Sequence, residues 1–430
     1  MKLRERLLKS QLLRSVLVLM TGTVFAQGLS YLVFPLLTTL YAPSEMGVLD
    51  IYVKIVGFVS AVGTARFEVS LPLPKNEGHS FLIYKLSLRI ARYVIVGMAV
   101  AWGVYFLFEP PVLTDIWFLI ITLISTLFVI FINLGTNWAI RNKAFKQISR
   151  QKIVGSFTNN GMRLVLGYLS FGAIGLVLAT MLGYMISSFW FVRDFFRLDR
   201  KKYKNYSRKK SKVLVREYRE FPLVNLPHVA IDLGRELLIA ALVLHYFDIQ
   251  IFGLYSVAHL ILKLPLTVLG TSIGQVFYGE TSEMVNQGKS VFPLLRKTIL
   301  TLFGLSLIPF SVIFFFGEDL FELLMDDRYI KAGYYSEIMT MWLMMVFVVS
   351  PVSNLSLVLN RQKEFFLLGI VGSTIQLFCF GVLPILYGTN EAAWERVLWT
   401  VTIAQTIYFV GVAIISLYYA KKGVKGAVTK

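Results

Sequence analysis

Acidic residues are scarce in this sequence: 25 Asp and Glu stand against 43 Lys and Arg, and charged residues make up only 16% of the 430 positions. An ordinary soluble domain carries about 25%. Cysteine is nearly absent, with Cys379 alone, and histidine is limited to His79, His228, His245 and His259. One thiol cannot close an internal disulfide, which excludes a secreted disulfide scaffold. Neither residue type clusters at ligand-like spacing, so no structural metal is expected. So low a charged fraction, with the apolar content below, excludes a disordered chain and an ordinary cytosolic enzyme.

What the chain has instead is apolar residue: 56% of it, with a mean hydropathy of +0.66. A membrane-spanning helix uses about 20 mostly apolar residues. Apolar runs of that length fall at 15–40, 46–72, 86–108, 115–138, 153–170, 172–192, 221–246, 251–276, 292–316, 334–360, 365–387 and 397–420. The fifth and sixth are divided only by Ser170-Phe171-Gly172. Within lipid such runs must be helices, because helices satisfy their own backbone polar groups. The basic segment before Ser15 and the small-residue pattern at Val24-Phe25-Ala26 have the outline of a signal peptide. The apolar stretch continues to Leu40, so an uncleaved first span is expected.

The positive charge sorts these spans. With the N-terminus on the cytoplasmic face, 35 of the 43 Lys and Arg fall in cytoplasmic segments, and only Arg328, Lys331 and Arg396 fall in outer loops. That is the positive-inside pattern. It places both termini in the cytoplasm, and it turns the net charge of +18 into a topological label rather than a sign of nucleic acid. The densest basic run, 200–210, is suited to anionic headgroups of the inner leaflet. It also divides six spans from six. The expected organisation is a six-helix lobe over 1–198, a basic cytoplasmic linker over 199–219 and a second six-helix lobe over 220–430. A weak internal echo supports duplication. Tyr41-Ala42-Pro43-Ser44-Glu45-Met46-Gly47 joins spans 1 and 2, and Tyr246-Phe247-Asp248-Ile249-Gln250-Ile251-Phe252-Gly253 joins spans 7 and 8. Like-oriented halves related by a pseudo-two-fold axis along the membrane normal are a common transporter plan.

Nine ionisable residues lie within spans: Asp50, Lys54, Arg66, Glu68, Arg163, Asp232, Arg235, Glu236 and Lys263. Each costs about 2.5–3.5 kcal/mol near a span centre on insertion scales, so such residues face a bundle interior or a wet cavity. Asn225, His228, Asp232 and Arg235/Glu236 recur every three or four residues and form one stripe on span 7. Pro222 and Pro227 predict that this span is bent or locally loosened. Span 5 adds Asn159, Asn160 and Arg163, and span 8 adds His259 and Lys263. Two readings stay open. Asp50 with Lys54, and Asp232 with Arg235/Glu236, also read as structural ion pairs, while Arg66 and Glu68 lie close enough to the surface to snorkel. A cavity holding Arg163, Arg235, Lys263, Lys54 and Arg66, with Asn225, His228 and Asn159, suits a phosphate-bearing substrate, because arginine offers phosphate a planar fork. Asp232, Glu236, Asp50 and Glu68 are the candidates for ion coupling or gating.

The residues now in view resemble the oligosaccharide-lipid flippases of bacterial polysaccharide synthesis, in the multidrug/oligosaccharidyl-lipid/polysaccharide exporter superfamily. The likeness rests on Ala26-Gln27-Gly28, on Pro35-Leu36-Leu37 through Met46-Gly47, on Arg66-Phe67-Glu68 and Leu71-Pro72, on Tyr218-Arg219-Glu220-Phe221-Pro222 through Asn225-Leu226-Pro227, and on Gly253-Leu254-Tyr255, Lys263-Leu264-Pro265 and Gln275-Val276-Phe277-Tyr278. The resemblance implies an all-α integral membrane fold of twelve transmembrane helices in two six-helix lobes around a central cavity. It implies alternating access that carries the glycan head of an undecaprenyl-diphosphate-linked oligosaccharide outward across the cytoplasmic (inner) membrane, for O-antigen, capsule or exopolysaccharide synthesis. Coupling to H+ or Na+ is expected, with no other cofactor. Expected partners are membrane lipids and other polysaccharide assembly proteins. A multidrug or cation exporter of the same superfamily is the alternative, and the excess of embedded cations argues against it. A membrane polymerase or ligase is the other alternative. It is disfavoured because no nucleophile–base pair or phosphate-cradling loop stands out and the longest outer segment, about 317–333, is short.

Overall fold

A computed structural model describes residues 2–108, 113–201 and 208–423. The basic run 200–210 lies mostly outside the described residues, as do Asn205-Tyr206-Ser207 and the tail lysines Lys425 and Lys430. Among the described residues there are helices and turns and no strand. The chain runs through α1 (Lys2–Leu40), α2 (Pro43–Val62), a 3-10 turn (Phe67–Ser70), α3 (Glu77–Phe108), α4 (Leu113–Arg141), α5 (Phe145–Tyr168) and α6 (Gly172–Lys201). After the short α7 (Arg208–Glu217) and a π turn (Phe221–Asn225) come α8 (Leu226–Tyr246), α9 (Ile249–Leu262), a second π turn (Leu266–Gly270) and α10 (Thr271–Asn286). The chain ends in α11 (Phe292–Leu324), α12 (Ile330–Val349), a short α13 (Leu355–Val358), α14 (Gln362–Tyr387) and α15 (Glu391–Lys422).

Each expected span coincides with a helix or a broken helix, and the breaks have local causes. The π turn at Phe221–Asn225 sits where Pro222 and Pro227 were expected to loosen span 7. The eighth expected span, 251–276, is not one helix. Its first part stops at Leu262, Pro265 interrupts the ladder, and helix resumes at Thr271. The second span is also shorter than expected, since α2 ends at Val62. Ala65 and Arg66 then take left-handed φ values of 49° and 60° before the 3-10 turn. Pro351 ends the long helix of the tenth span in the same way. The narrow divide at Ser170-Phe171-Gly172 is real: Ser170 and Gly172 both have positive φ, and α6 starts at once.

Among the described residues eight helices are long and apolar enough to cross a membrane: Thr21–Leu40, Glu77–Leu107, Asp115–Arg141, Gly172–Arg197, Phe292–Leu324, Asp327–Val358, Gln362–Tyr387 and Glu391–Lys422. The other four spans, α2, α5, α8 and α9 with their flanking turns, are the polar or interrupted ones. The nine ionisable residues singled out above lie in those four, while Glu337 lies within α12.

By contacts the chain forms two compact units. The first comprises Met1–Tyr41 and Val48–Leu237, the second Ala42–Gly47 and Leu238–Lys430. In the first, α5 packs along both α1 and α6, and α4 packs on α6. One core gathers Phe67, Leu71, Phe81, Tyr84, Ile130 and Leu134. A second holds Tyr52, Val56, Ile121 and Val177. In the second unit α12 is the central element, packed on α11, α15 and α9. There the fully buried Trp394 ring lies edge-on to Phe247 (5.1 Å) and Tyr255 (5.6 Å). The lobe limits at 198 and 220 are a reading of the basic linker and remain a proposal.

Candidate functional site

In the first unit the embedded charges form four separate groups. Near the end of span 2, Arg66 Nη1 lies 3.1 Å from Glu68 Oε1, and Arg66 Nε donates to Asn225 Oδ1 over 2.8 Å. Thr64 Oγ1 donates to Glu68 Oε2. Glu68 is 1% exposed. A buried carboxylate of this kind is tolerable only when paired and hydrogen-bonded. The buried, paired Glu68 and its bond to Arg66 argue against the expectation that these two residues snorkel.

On α8, Asp232 Oδ1 and Glu236 Oε1 lie 3.0 and 3.3 Å from Arg235 Nη2. The Asp232 carboxylate is 61% exposed, and His228, one turn earlier, is exposed as well. The helical spacing brings Asp232, Arg235 and Glu236 together with His228 one turn earlier, while Asn225 sits in the π turn and bonds Arg66 instead. On α2, Asp50 and Lys54 form an i,i+4 ion pair.

The fourth group belongs to α5. Arg163 Nη2 donates to Thr180 Oγ1 over 2.9 Å, and Asn159 Oδ1 is 3.3 Å from the same hydroxyl. The Tyr41 hydroxyl donates to the Arg163 carbonyl over 2.7 Å. These residues belong to two ladders that the sequence reading only partly registered. On the α6 side, Gln147 Nε2 donates to Asp194 Oδ2 (2.9 Å), Gln151 Nε2 to Ser187 Oγ (3.3 Å) and Arg163 to Thr180. On the α1 side, Lys152 Nζ donates to Thr23 Oγ1 (2.9 Å), Ser156 Oγ to the Ala26 carbonyl (2.7 Å) and Asn160 Nδ2 to Ser30 Oγ (2.9 Å). The i+4 spacing of 147, 151, 159 and 163, and of 152, 156 and 160, was the signal. In lipid each such bond contributes about 0.6 kcal/mol on average, and together they fix α5 between its neighbours.

In the second unit Lys263 caps α9, and its carbonyl accepts from Thr267 N at the start of the π turn. One turn earlier, His259 stacks on Tyr255 with ring centres 5.6 Å apart. The geometry thus joins Arg66 to Glu68 and Asn225, Arg235 to Asp232 and Glu236, Asp50 to Lys54, and Arg163 to Asn159 through Thr180. Lys263 belongs to a different unit from the rest.

Comparison with known proteins gives this arrangement its context. The lipid II flippase MurJ, in an inward closed conformation, shares the fold with a TM-score of 0.70 at 15% identity, over 95% of this chain and 88% of that one. An inward-facing multidrug resistance MATE family transporter of the MOP superfamily matches with a TM-score of 0.61 at 13% identity, over 94% and 96%. A MOP superfamily transporter from Pyrococcus furiosus, described as having a binding pocket of reverse polarity, matches at 0.57 and 14% identity, over 95% of both chains. No curated protein sequence matches. At these identities the likeness establishes the fold: an all-α, multi-pass membrane protein of twelve transmembrane helices in two six-helix lobes. A model of the polysaccharide biosynthesis protein family matches residues 36–333, well over half of the sequence, and the chain belongs to that family.

Proposed function

We propose that this protein is a flippase that moves an undecaprenyl-diphosphate-linked oligosaccharide across the cytoplasmic membrane by alternating access, for surface polysaccharide synthesis. The observation that carries the reading is the exposed polar strip of α8, where Arg235 holds Asp232 and Glu236 with His228 one turn earlier. A moving polar headgroup needs water and compensating charge along its path while the polyprenyl tail stays in lipid. In the first unit Arg66, Arg235 and Lys54, with Asn225 and His228, are the groups that would meet a diphosphate; in the second unit Lys263 is the candidate. Arg66, Arg235 and Lys54 already hold carboxylates. An arriving phosphate would then exchange one anion for another, so neither the filled nor the empty path strands a buried charge.

Asp232 and Glu236 are the preferred candidates for H+ or Na+ coupling. Their carboxylates share Arg235, and the Asp232 side chain is exposed. Catalytic chemistry forms no part of the proposal, and both termini are taken to be cytoplasmic, from the distribution of Lys and Arg.

A flipping assay in proteoliposomes, with a fluorescent polyprenyl-diphosphate oligosaccharide, tests the reading. Arg235→Ala and Lys263→Ala should each slow translocation at least tenfold. Unchanged rates in both variants would remove the proposal. The fold likeness to multidrug transporters keeps an exporter as the second reading. It predicts drug sensitivity on deletion with normal surface polysaccharide.

A further inference from the structure

Arg163 differs from the other arginines embedded in the spans. Arg66 has Glu68, and Arg235 has Asp232 and Glu236. Among the described residues no carboxylate pairs with Arg163. The ionisable groups whose charge would reach it are the hydroxyls of Tyr184, Tyr41 and Tyr52. Its Nε is sealed from solvent and has no hydrogen-bond partner. Arginine cannot escape this situation by losing its proton, so the positive charge stays. A charge held in a membrane bundle without a counter-charge is costly, and a donor left unmade inside protein adds to that cost.

The surroundings limit what could supply the missing negative charge. Tyr41, Tyr52 and Leu176 are 0% exposed, and Thr180 is 1% exposed. The Tyr52 hydroxyl is committed to Ser125 Oγ over 2.5 Å, and that of Tyr41 to the Arg163 carbonyl. What remains near the guanidinium is its own unpartnered Nε and the Tyr184 hydroxyl, each of which can donate to an anion. Walls this closely packed exclude a lipid headgroup. Arg163 as a residue nevertheless keeps partial exposure, so a small solute has a way in.

We propose that the first unit holds a small inorganic anion of the halide class at Arg163, enclosed by α1, α2, α5 and α6. The inference does not rest on the lipid-linked substrate. It holds for any cargo, and it makes a bound anion the neutralising partner of a fixed arginine.

The test is thermal unfolding of the purified full-length protein in neutral detergent, at matched ionic strength, in sodium chloride, sodium bromide, sodium phosphate and sodium gluconate. Chloride and bromide should raise the midpoint by about 3 °C over gluconate, with saturation as halide concentration rises, as expected for a ligand bound only by the native state. Arg163→Gln should abolish the difference between chloride and gluconate. Arg163→Lys, which keeps the charge, should retain part of it. Should Arg163→Gln fail to fold, Tyr184→Phe provides the second reading, with halide saturation shifted to at least threefold higher concentration. Equal midpoints in chloride and gluconate for the unmodified protein would overturn the proposal. So would a full halide shift in Arg163→Gln, or stabilisation by phosphate alone.

Discussion

Arg66 Nε donates to Asn225 Oδ1 across 2.8 Å, joining the left-handed end of span 2 to the π turn that opens span 7, 159 residues later. Both ends of this bond are irregular backbone. Ala65 and Arg66 hold positive φ, a conformation that costs a non-glycine residue about 1–2 kcal/mol. Phe221–Asn225 is a π turn with a proline inside it. The bond, together with the Glu68 carboxylate, is what stabilises two otherwise unfavourable segments against each other. A hydrogen bond to a charged group contributes about 1.5–3 kcal/mol. Asn225→Ala is therefore expected to lower the unfolding midpoint by several degrees in a detergent melt, while Asn225→Asp, which still offers an oxygen, should recover most of it. Arg66→Lys should behave like Asn225→Ala, because one ammonium cannot reproduce the fork that serves Glu68 and Asn225 together. An unshifted midpoint in both damaging variants would show that the bond is incidental.

The glycines of the internal echo, Gly47 and Gly253, face each other. A Cβ added at Gly253 would run into the Pro43 carbonyl oxygen and come within 3.2 Å of Gly47 N. A Cβ at Gly47 would meet the Ile249 carbonyl at 2.9 Å and Gly253 N at 3.2 Å. These are backbone atoms and cannot swing aside. Gly253→Ala should therefore cost about 1–3 kcal/mol by overpacking. Gly411→Ala is the control, since nothing lies within 4 Å of that position. There the substitution should be neutral or gain up to about 1 kcal/mol from helix propensity. Comparing folded yield and melting midpoint of the two variants checks the argument, and equal behaviour would refute it.

Much of this was legible in the sequence, and the exceptions have physical reasons. Apolar length and the map of Lys and Arg were enough to locate every span, because lipid leaves the chain few alternatives to helix. Pro222 and Pro227 announced the loosened start of span 7, since a missing N–H is a local property. The left-handed pair at Ala65 and Arg66 announced nothing, because neither residue type favours positive φ and the conformation is imposed by Glu68, Thr64 and Asn225. Pairings were legible only within a helix. Asp50–Lys54 and Asp232–Arg235 follow from i,i+4 and i,i+3 spacing, whereas Arg66–Asn225 depends on how distant spans pack. Asn159, Asn160 and Arg163 stood out as polar residues in an apolar run. Their partners Ser30 and Thr180 did not, being small hydroxyls of the sort found in any membrane helix.

A pH-dependent contribution is expected in the loop between α11 and α12. Asp326 accepts from Arg328 Nε over 2.6 Å and from Arg328 N over 3.2 Å. The side-chain bond, more than the backbone bond, holds its carboxyl below the usual aspartate range, against a smaller opposing effect of burial. Because the folded protein favours the ionised form, the stabilisation is present above the ordinary aspartate pKa of about 3.9 and is lost as pH falls through the lower folded value. The pair is partly solvent-exposed, so its worth is about 1 kcal/mol or less. Asp326→Asn should lower the midpoint slightly at pH 7, and the gap should narrow as pH falls below the ordinary aspartate range. A gap independent of pH would show that the charge of the Asp326 carboxylate is not its source.

Orientation in the membrane follows from helix order and is open to a direct test. Cys379 is buried in α14, so Cys379→Ser provides a cysteine-free background at small cost. Gln287 lies in the turn between α10 and α11, Thr389 in the turn between α14 and α15, and both are exposed. From the α10–α11 turn, α11 crosses once, α12 with its α13 extension returns, and α14 crosses again. The two turns therefore lie on opposite faces. The positive-inside bias, with Lys289, Arg296 and Lys297 around the first turn, assigns Gln287 to the cytoplasm and Thr389 to the outside. With a membrane-impermeant maleimide, Thr389→Cys should label in intact cells, or in spheroplasts where an outer membrane blocks access. Gln287→Cys should label only after the membrane is permeabilised. Labelling of both positions from outside would break the span count between them. The reverse pattern would keep the fold but invert the protein, and with it the direction of transport proposed for it.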